Sequence, residues 1–224
     1  MHERHIVACG GITEAHADAM EAYVLGLTGK ERPRVCFLPT ATGDAAERIV
    51  RFYAAFGDKA DTAHLALFDR TVDDLRAFLL AQDVIQVGGG NTANMLAVWR
   101  VHGIDRIMRE AWEAGIVLTG VSAGAICWFE ACVTDSFGGT DALHDGLGFL
   151  AGSMCPHYDS EPNRRPVFQR LVGEDFPAGY AAEDDVGLHF AGTELHAAVS
   201  AREDGRAFRV EPGGETELGV TRIG

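Results

Sequence analysis

Gly115-Ile-Val-Leu-Thr-Gly-Val-Ser-Ala-Gly-Ala125 contains the pattern Gly-x-Ser-x-Gly directly after a short apolar segment. Residues 116–118 predict a buried strand, and the apolar residues after Gly124, through Phe129, are compatible with a helix. Glycines on both sides of Ser122 allow the sharp turn that exposes a serine hydroxyl at the carboxyl end of a strand. The stretch therefore predicts a strand, a turn that presents a nucleophile, and a helix; the alternative is a glycine-rich turn with an incidental serine.

Strand and helix patterns alternate on the amino-terminal side of this stretch as well. Apolar runs predict strands at residues 5–9, 34–38, 63–68 and 83–87, with helical patterns between them. This alternation predicts an α/β fold with a mostly parallel sheet and helices on both faces. Ligands of such sheets bind at the carboxyl ends of the strands. Four segments follow predicted strands and are expected to share that edge, namely Gly10-Gly11, Thr40-Ala-Thr42, Gly88-Gly-Gly90 and Ser122.

The last third of the chain has a different pattern. Residues 187–190 and 197–200 flank Gly192-Thr193, and residues 207–210 and 217–220 flank Pro212-Gly-Gly214. Apolar runs that flank such turn residues predict two C-terminal antiparallel hairpins. Since no linker, low-complexity tract or repeat interrupts the chain, residues 1–224 are predicted to form a single domain.

Composition excludes several classes of protein. The formal net charge of −14 argues against nucleic acid and against an anionic membrane surface as partners. No apolar run is long enough to span a bilayer, and the amino terminus leads directly into a strand rather than a signal peptide. The five cysteines are odd in number and lack CxxC spacing, which favours a reduced, cytoplasmic protein. Histidines and cysteines do not cluster at zinc spacings, so neither a metal nor a cofactor is expected.

A nucleophilic serine needs an imidazole to take its proton and an acceptor to orient that imidazole. Among nine histidines, His157 is favoured because it follows the turn at a point where a strand meets a loop, with Pro156 fixing the chain before it. The glycine-rich loop that begins at Gly88 allows two interpretations. It could cradle a phosphate, although it lacks the P-loop and dinucleotide spacings, or its amide could face the serine opposite the amide of Ala123 as an oxyanion hole.

Four motifs occur in a characteristic order: Gly88-Gly-Gly-Asn-Thr92, Gly120-Val-Ser-Ala-Gly-Ala125, Pro156-His-Tyr158 and Glu183-Asp184. With them, nearly the whole chain resembles the peptidase E (aspartyl dipeptidase) and cyanophycinase family of serine peptidases. The resemblance implies a fold similar to the class I glutamine amidotransferases and a triad of Ser122, His157 and Glu183. It also implies oxyanion donors at Gly89 and Ala123, a short peptide substrate, and a monomer or homodimer.

The triad acid has a competitor in Asp135, thirteen residues after the serine. Glu183 is preferred because it matches the acidic pair that precedes a strand in the family, whereas its neighbours Asp184 and Asp185 are interpreted as surface charge.

Aspartyl dipeptidases select an amino-terminal aspartate, and a carboxylate is well bound by an arginine. Arg164 and Arg165 are therefore candidates for substrate binding, unless they only solubilise the start of a helix.

Asn91, in the glycine-rich loop, is the third candidate for substrate binding. Together the residues predict a serine exopeptidase that cleaves dipeptides or short peptides through an acyl-enzyme, with an amino-terminal aspartate as one specificity. One alternative is a cyanophycinase-like hydrolase or an amidase on the same scaffold, and Ser122 argues against the amidotransferase type, which carries cysteine there. Another is a non-catalytic protein that binds a small molecule.

Overall fold

The structure is a computed structural model that describes residues 3–224, so Met1 and His2 of the predicted domain lie outside the described residues. The helices are α1 (Ala17–Gly26), α2 (Ala46–Phe56), α3 (Leu75–Leu80), α4 (Thr92–His102), α5 (Ile104–Glu113), α6 (Ala123–Ile126) and α7 (Arg164–Gly173). The strands are β1 (His5–Cys9), β2 (Arg34–Leu38), β3 (Asp61–His64), β4 (Val84–Val87), β5 (Val117–Val121), β6 (Phe129–Thr134), β7 (Asp141–Leu143), β8 (Leu150–Cys155), β9 (Gly179–Ala182), β10 (Val186–Ala191), β11 (Glu194–Ser200), β12 (Ala207–Glu211), β13 (Gly214–Glu217) and β14 (Val220–Arg222).

The larger sheet has eight strands in the order β14-β11-β10-β1-β5-β4-β2-β3. Its centre, from β1 to β3, is parallel throughout, while β10 and β11 extend it in antiparallel pairing. The predicted α/β class with a mostly parallel sheet is therefore confirmed. Because parallel strands end at the same edge, the segments that follow β2, β4 and β5 meet there.

Helices cover both faces of the larger sheet, as the sequence predicts. On one face, α1 and α2 pack through buried apolar side chains such as Val24 and Phe52. On the other face, α4 and α5 pack through Trp99 and Trp112. Burial on both faces explains why the central strands are almost continuously apolar.

A second sheet of six strands, in the order β13-β12-β9-β8-β6-β7, was not predicted. The expected helix through Phe129 is wrong, because α6 ends at Ile126 and β6 begins at Phe129. One face of this sheet, including Met154, belongs to the same core as the larger sheet, whereas the other face packs on Phe168 of α7. Short apolar runs do not distinguish a buried strand from a helix, and these strands pair with partners that are distant in sequence.

The first predicted hairpin is confirmed, since β10 and β11 pair antiparallel around Gly192. The second is correct only in its first strand. β12 pairs with residues Gly214–Glu217, and the segment Val220–Arg222 instead joins the larger sheet beside β11. The turn residues marked the reversal correctly, but they did not fix how far the returning strand extends.

Candidate active site

Ser122 occupies the turn between β5 and α6 with φ 54° and ψ −115°, a backbone conformation that residues with side chains rarely adopt. The flanking glycines are required by close packing. A Cβ at Gly120 would overlap the carbonyl oxygen of Gly124, and a Cβ at Gly124 would overlap that of Val87. The amide of Ser122 donates to the carbonyl of Cys9 at 3.0 Å, which ties the turn to β1.

A cavity of about 390 Å³ lies at the carboxyl ends of β2, β4 and β5. Ser122 and His157 both line it, together with Thr42 and residues 88–90. Gly11, from the fourth segment expected at this edge, lies beside His157: a Cβ on Gly11 would be 3.0 Å from the imidazole Cε1. The serine and the favoured histidine, 35 positions apart in the chain, therefore face one space.

His157 is held by an aspartate rather than by the expected glutamate. Its Nδ1 lies 2.7 Å from Oδ1 of Asp184, and its own backbone has a positive φ of 52°. The hydrogen bond with His157 holds the pKa of Asp184 below its ordinary value; burial opposes this shift, while Ser160 and Arg202 add to it. An ionised Asp184 accepts a hydrogen bond from Nδ1–H, which leaves Nε2 of the neutral imidazole as an acceptor.

Glu183, predicted as the acid of the triad, does not reach the imidazole. Its side chain is 1% exposed, and its carboxylate accepts hydrogen bonds from Arg202 at 2.8 Å and from the backbone and side chain of Arg206 at 3.0 Å. Arg202 and Arg206 engage both oxygens of the Glu183 carboxylate, while the adjacent Asp184 contacts His157. The expectation that Glu183 contacts His157 is therefore wrong.

The other acidic candidates are also accounted for. Asp135 is 60% exposed and lies 3.6 Å from the guanidinium of Arg164, not at the imidazole. Asp185 is buried and accepts hydrogen bonds from the backbone and hydroxyl of Thr13 and from His16 at 3.0 Å. The interpretation of Asp184 and Asp185 as surface charge is wrong, because each orients a histidine.

Gly89 and Ala123 lie on either side of Ser122. Ala123 begins α6, and a Cβ on Gly89 would be 3.3 Å from the Cβ of Ser122. Within residues 3–224, neither amide donates a hydrogen bond to another group of the chain. Gly90, with φ 141°, packs so closely against the carbonyl of Ala41 that a Cβ there would overlap it. The loop thus leaves backbone donors near the serine without intramolecular acceptors.

Asn91 is an N-cap and does not line the cavity. Its Oδ1 accepts from the amide of Asn94 at 2.9 Å at the start of α4, its Nδ2 donates to the carbonyl of Ser136 at 3.0 Å, and its amide donates to Ala41. These bonds engage the side-chain groups that a substrate would need. The assignment of Asn91 to substrate binding does not agree with this geometry.

Arg164 and Arg165 also lie outside the cavity. Arg164 is buried, donates to Glu161 at 2.7 Å and to the carbonyl of Val133 at 3.0 Å, and so fixes α7 to the second sheet. Arg165 pairs with Glu215 and stacks over a nearby aromatic ring. The expectation that one of them faces the substrate is not met. Arg164 is bound to β6 of the second sheet, and Arg165 is bound to β13, the edge strand of that sheet.

Sequence reasoning missed two arginines that do line the cavity, Arg48 and Arg51 of α2. A signal was available, because a helical pattern follows the predicted strand at residues 34–38, which ends at the expected edge. Positions three and four residues apart share one face of a helix. Arg48, Arg51 and Phe52 have that spacing.

No helix among the described residues is long and apolar enough to cross a membrane. In the same part of the chain, no group of three or more His, Cys, Asp or Glu residues is arranged to hold a metal ion.

The chain is similar to several known proteins. A model of Peptidase family S51 matches residues 6–198. The chain is 47% identical over 212 residues to the uncharacterized peptidase YgaJ of Bacillus subtilis (strain 168), with 92% of each chain covered. It is 27% identical over 176 residues to the uncharacterized peptidase Lin0382 of Listeria innocua, which covers 73% of this chain and 82% of that one.

Two solved structures have a similar fold. A peptidase from an acI-B1 Actinobacterium matches with a TM-score of 0.70 and 17% identity, covering 99% of this chain and 97% of that one. A putative peptidase E protein from Listeria monocytogenes EGD-e matches with a TM-score of 0.59 and 21% identity, covering 86% of this chain and 96% of that one. At these identities the likeness is one of fold.

Proposed function

Because the chain belongs to peptidase family S51, and is therefore a peptidase, we propose that it cleaves short peptides by serine catalysis through Ser122, His157 and Asp184. The observation that carries the proposal is the 2.7 Å hydrogen bond between His157 and Asp184 beside the strained turn of Ser122. A hydroxyl, an imidazole and an ionised carboxylate in this order form the charge arrangement of a serine nucleophile.

In the proposed reaction the Oγ of Ser122 attacks the carbonyl carbon of the scissile peptide bond. Its proton moves to Nε2 of His157, and Asp184 stabilises the imidazolium through the proton on Nδ1. His157 then returns the proton to the leaving amine as the C–N bond breaks. A water molecule, activated in the same way, releases the acyl group from Ser122 and restores the free enzyme.

The tetrahedral intermediate needs donors for its oxyanion, and we assign this role to the amides of Gly89 and Ala123. Both flank Ser122, and neither amide has an acceptor within the described part of the chain. One such donor contributes about 10²–10³ in turnover when it is positioned for the oxyanion. Any side chain at position 89 would come close to the serine, since its Cβ would be 3.3 Å from that of Ser122.

Short peptides are the proposed substrates because the cavity that contains Ser122 and His157 measures only about 390 Å³. That volume suits a few residues rather than a folded protein. Arg164 and Arg165, the candidates for binding an amino-terminal aspartate, are bound to Glu161 and Glu215 instead. The proposal therefore does not restrict the substrate to peptides that begin with aspartate.

A serine-directed fluorophosphonate probe tests the proposal most directly. We expect the protein to be labelled at Ser122, the Ser122→Ala variant to remain unlabelled, and a library of dipeptides to release free amino acids only with the wild-type protein. Ser122→Ala should lower turnover by about 10⁴-fold or more. An unlabelled Ser122 and an inert library would instead favour a non-catalytic binding protein.

A further inference from the structure

One face of α2 forms a wall of the cavity that contains Ser122. Arg48, Arg51, Phe52, Ala55 and Phe56 all line it. Their spacing of three and four residues places them on the same side of the helix. Both arginines of α2 therefore line the same cavity as the proposed nucleophile.

Among residues 3–224, neither guanidinium group has a strong acidic partner. Arg51 forms no ion pair with any described residue, and Arg48 has only a 3.8 Å contact with its neighbour Glu47. Other exposed arginines, such as Arg32 and Arg76, have acidic partners. Two positive charges thus remain available at the cavity.

The other residues that line the cavity do not neutralise the two arginines. Glu21 also lines the cavity, but it is bound to Lys59 at 2.7 Å, and burial raises the pKa of its carboxyl. Phe37 and Phe52 are buried and stacked 5.1 Å apart, so they provide an apolar surface beside the arginines. A charge-assisted hydrogen bond is stronger against such a surface than in open water.

We propose that Arg48 and Arg51 bind a carboxylate of the substrate peptide, an inference that rests on the proposed peptidase function. The planar guanidinium donates two parallel hydrogen bonds to a carboxylate, and two arginines one turn apart can share one. The carboxylate is either the carboxyl terminus of a short peptide or an acidic side chain near the scissile bond. The favoured substrates are therefore short peptides that carry a negative charge within the reach of α2.

Binding to the Ser122→Ala variant tests this inference without any need for turnover. Calorimetry would measure three probes: Ala-Leu, its carboxyl amide, and the carboxyl amide of Asp-Leu. If the arginines bind a carboxyl terminus, Ala-Leu should bind and its amide should bind much more weakly. If they bind an acidic side chain, the amide of Asp-Leu should bind and the amide of Ala-Leu should not.

The arginines are then replaced in the same background. Arg48→Gln with Arg51→Gln should weaken binding of the preferred carboxylate probe by about 30-fold or more, and added salt should reduce the difference. Arg222→Gln is the matched control, because it removes one exposed positive charge from β14, at the other end of the sheet. It should leave binding unchanged.

Two results would overturn the inference. One is a double variant whose affinity stays within about fivefold of the Ser122→Ala parent, as expected for solvated surface arginines. The other is the absence of binding by every probe. Hydrolysis of Ala-Leu and Asp-Leu by the wild-type protein is measured separately, so a protein that binds a carboxylate through α2 but hydrolyses nothing would contradict the proposed function and not this inference.

Discussion

Gly11 and Asp184 are in such close contact that a side chain at position 11 would displace a residue of the proposed triad. A Cβ built on Gly11 would overlap Oδ1 of Asp184, the atom that lies 2.7 Å from His157, and would approach the imidazole to 3.0 Å. The backbones are joined as well, since the amide of Asp185 donates to the carbonyl of Gly11 at 2.9 Å. The first βα turn of the chain therefore packs against both the acid and the base of the proposed triad.

Gly11→Ala should thus damage catalysis more than folding. The added methyl group must displace either the carboxylate of Asp184 or the ring of His157, and a shift of about 1 Å at a catalytic group can cost about 10²-fold in rate. We expect kcat/KM on a dipeptide to fall by about 100-fold with little change in the circular dichroism spectrum. Gly26→Ala is the control, because a Cβ at Gly26 meets nothing within 4 Å. Full activity in Gly11→Ala would contradict the proposed role of this contact.

Replacing Asp184 should reduce activity with little effect on stability, whereas replacing Glu183 should reduce stability with little effect on activity. Asp184→Asn removes the charge that orients His157, so kcat should fall by about 10²–10⁴-fold while the free energy of unfolding changes little. Glu183→Gln leaves Arg202 and Arg206 without their buried acidic partner, which should lower the free energy of unfolding by about 3 kcal/mol. Turnover at a temperature where the variant is folded should stay within about tenfold of the wild type.

Urea unfolding and steady-state kinetics on both variants separate the two roles. The reverse result, with Glu183→Gln inactive but stable and Asp184→Asn active, would return the acid to the position that the family resemblance indicates. Asp135→Asn serves as a further control, because that side chain is exposed and lies 3.6 Å from Arg164 rather than beside His157.

The turn at Ser122 was predictable because its requirements are local. Gly120, Ser122 and Gly124 are within five positions, and the atom that excludes a side chain at Gly120 is the carbonyl oxygen of Gly124 in the same turn. The parallel sheet followed for a similar reason, since alternating apolar runs determine which elements can be buried on both faces. Both predictions used information contained in short segments.

The acid and the arginines were not predictable in this way. Glu183 and Asp184 are adjacent and chemically alike, and the choice between them depends on a bridge between Asp184 and Gly11, a contact across more than 170 positions. Arg164 is held by the carbonyl of Val133 and Arg165 by Glu215, both residues of strands in the unpredicted second sheet. Partners this far away in the sequence determine where such side chains point.

Variants of Asn91 test whether its side chain stabilises the fold or binds the substrate. As the N-cap of α4 it accepts from the amide of Asn94 at 2.9 Å and also bonds Ser136. Asn91→Ala should lower the free energy of unfolding by about 1 kcal/mol. Asn91→Asp, which keeps the capping oxygen, should lose less, and KM should change by less than about threefold in both. A large rise in KM with unchanged stability would restore the role in substrate binding.

A histidine cluster formed by His5 of β1, His189 of β10 and His196 of β11 should make stability depend on pH. His189 is 3% exposed, its Nε2 lies 3.0 Å from Nδ1 of His5, and its Nδ1 lies 2.7 Å from the hydroxyl of Tyr23. Burial, together with the neighbouring His5 and His196, lowers the pKa of His189 to about 4. The pKa of His5 is also lowered, chiefly by burial.

An unfolded histidine titrates near pH 6.5, so between that pH and about 4 the unfolded chain binds more protons than the folded one. The contribution of His189 to stability is therefore complete above pH 6.5 and is lost progressively as the pH falls. We expect the urea midpoint to drop over this range, with at most about 3 kcal/mol attributable to His189 by pH 4. His189→Gln should flatten this dependence, whereas His102→Gln, at the end of α4 and outside the cluster, should not. An unchanged pH profile in His189→Gln would show that another group titrates in this window.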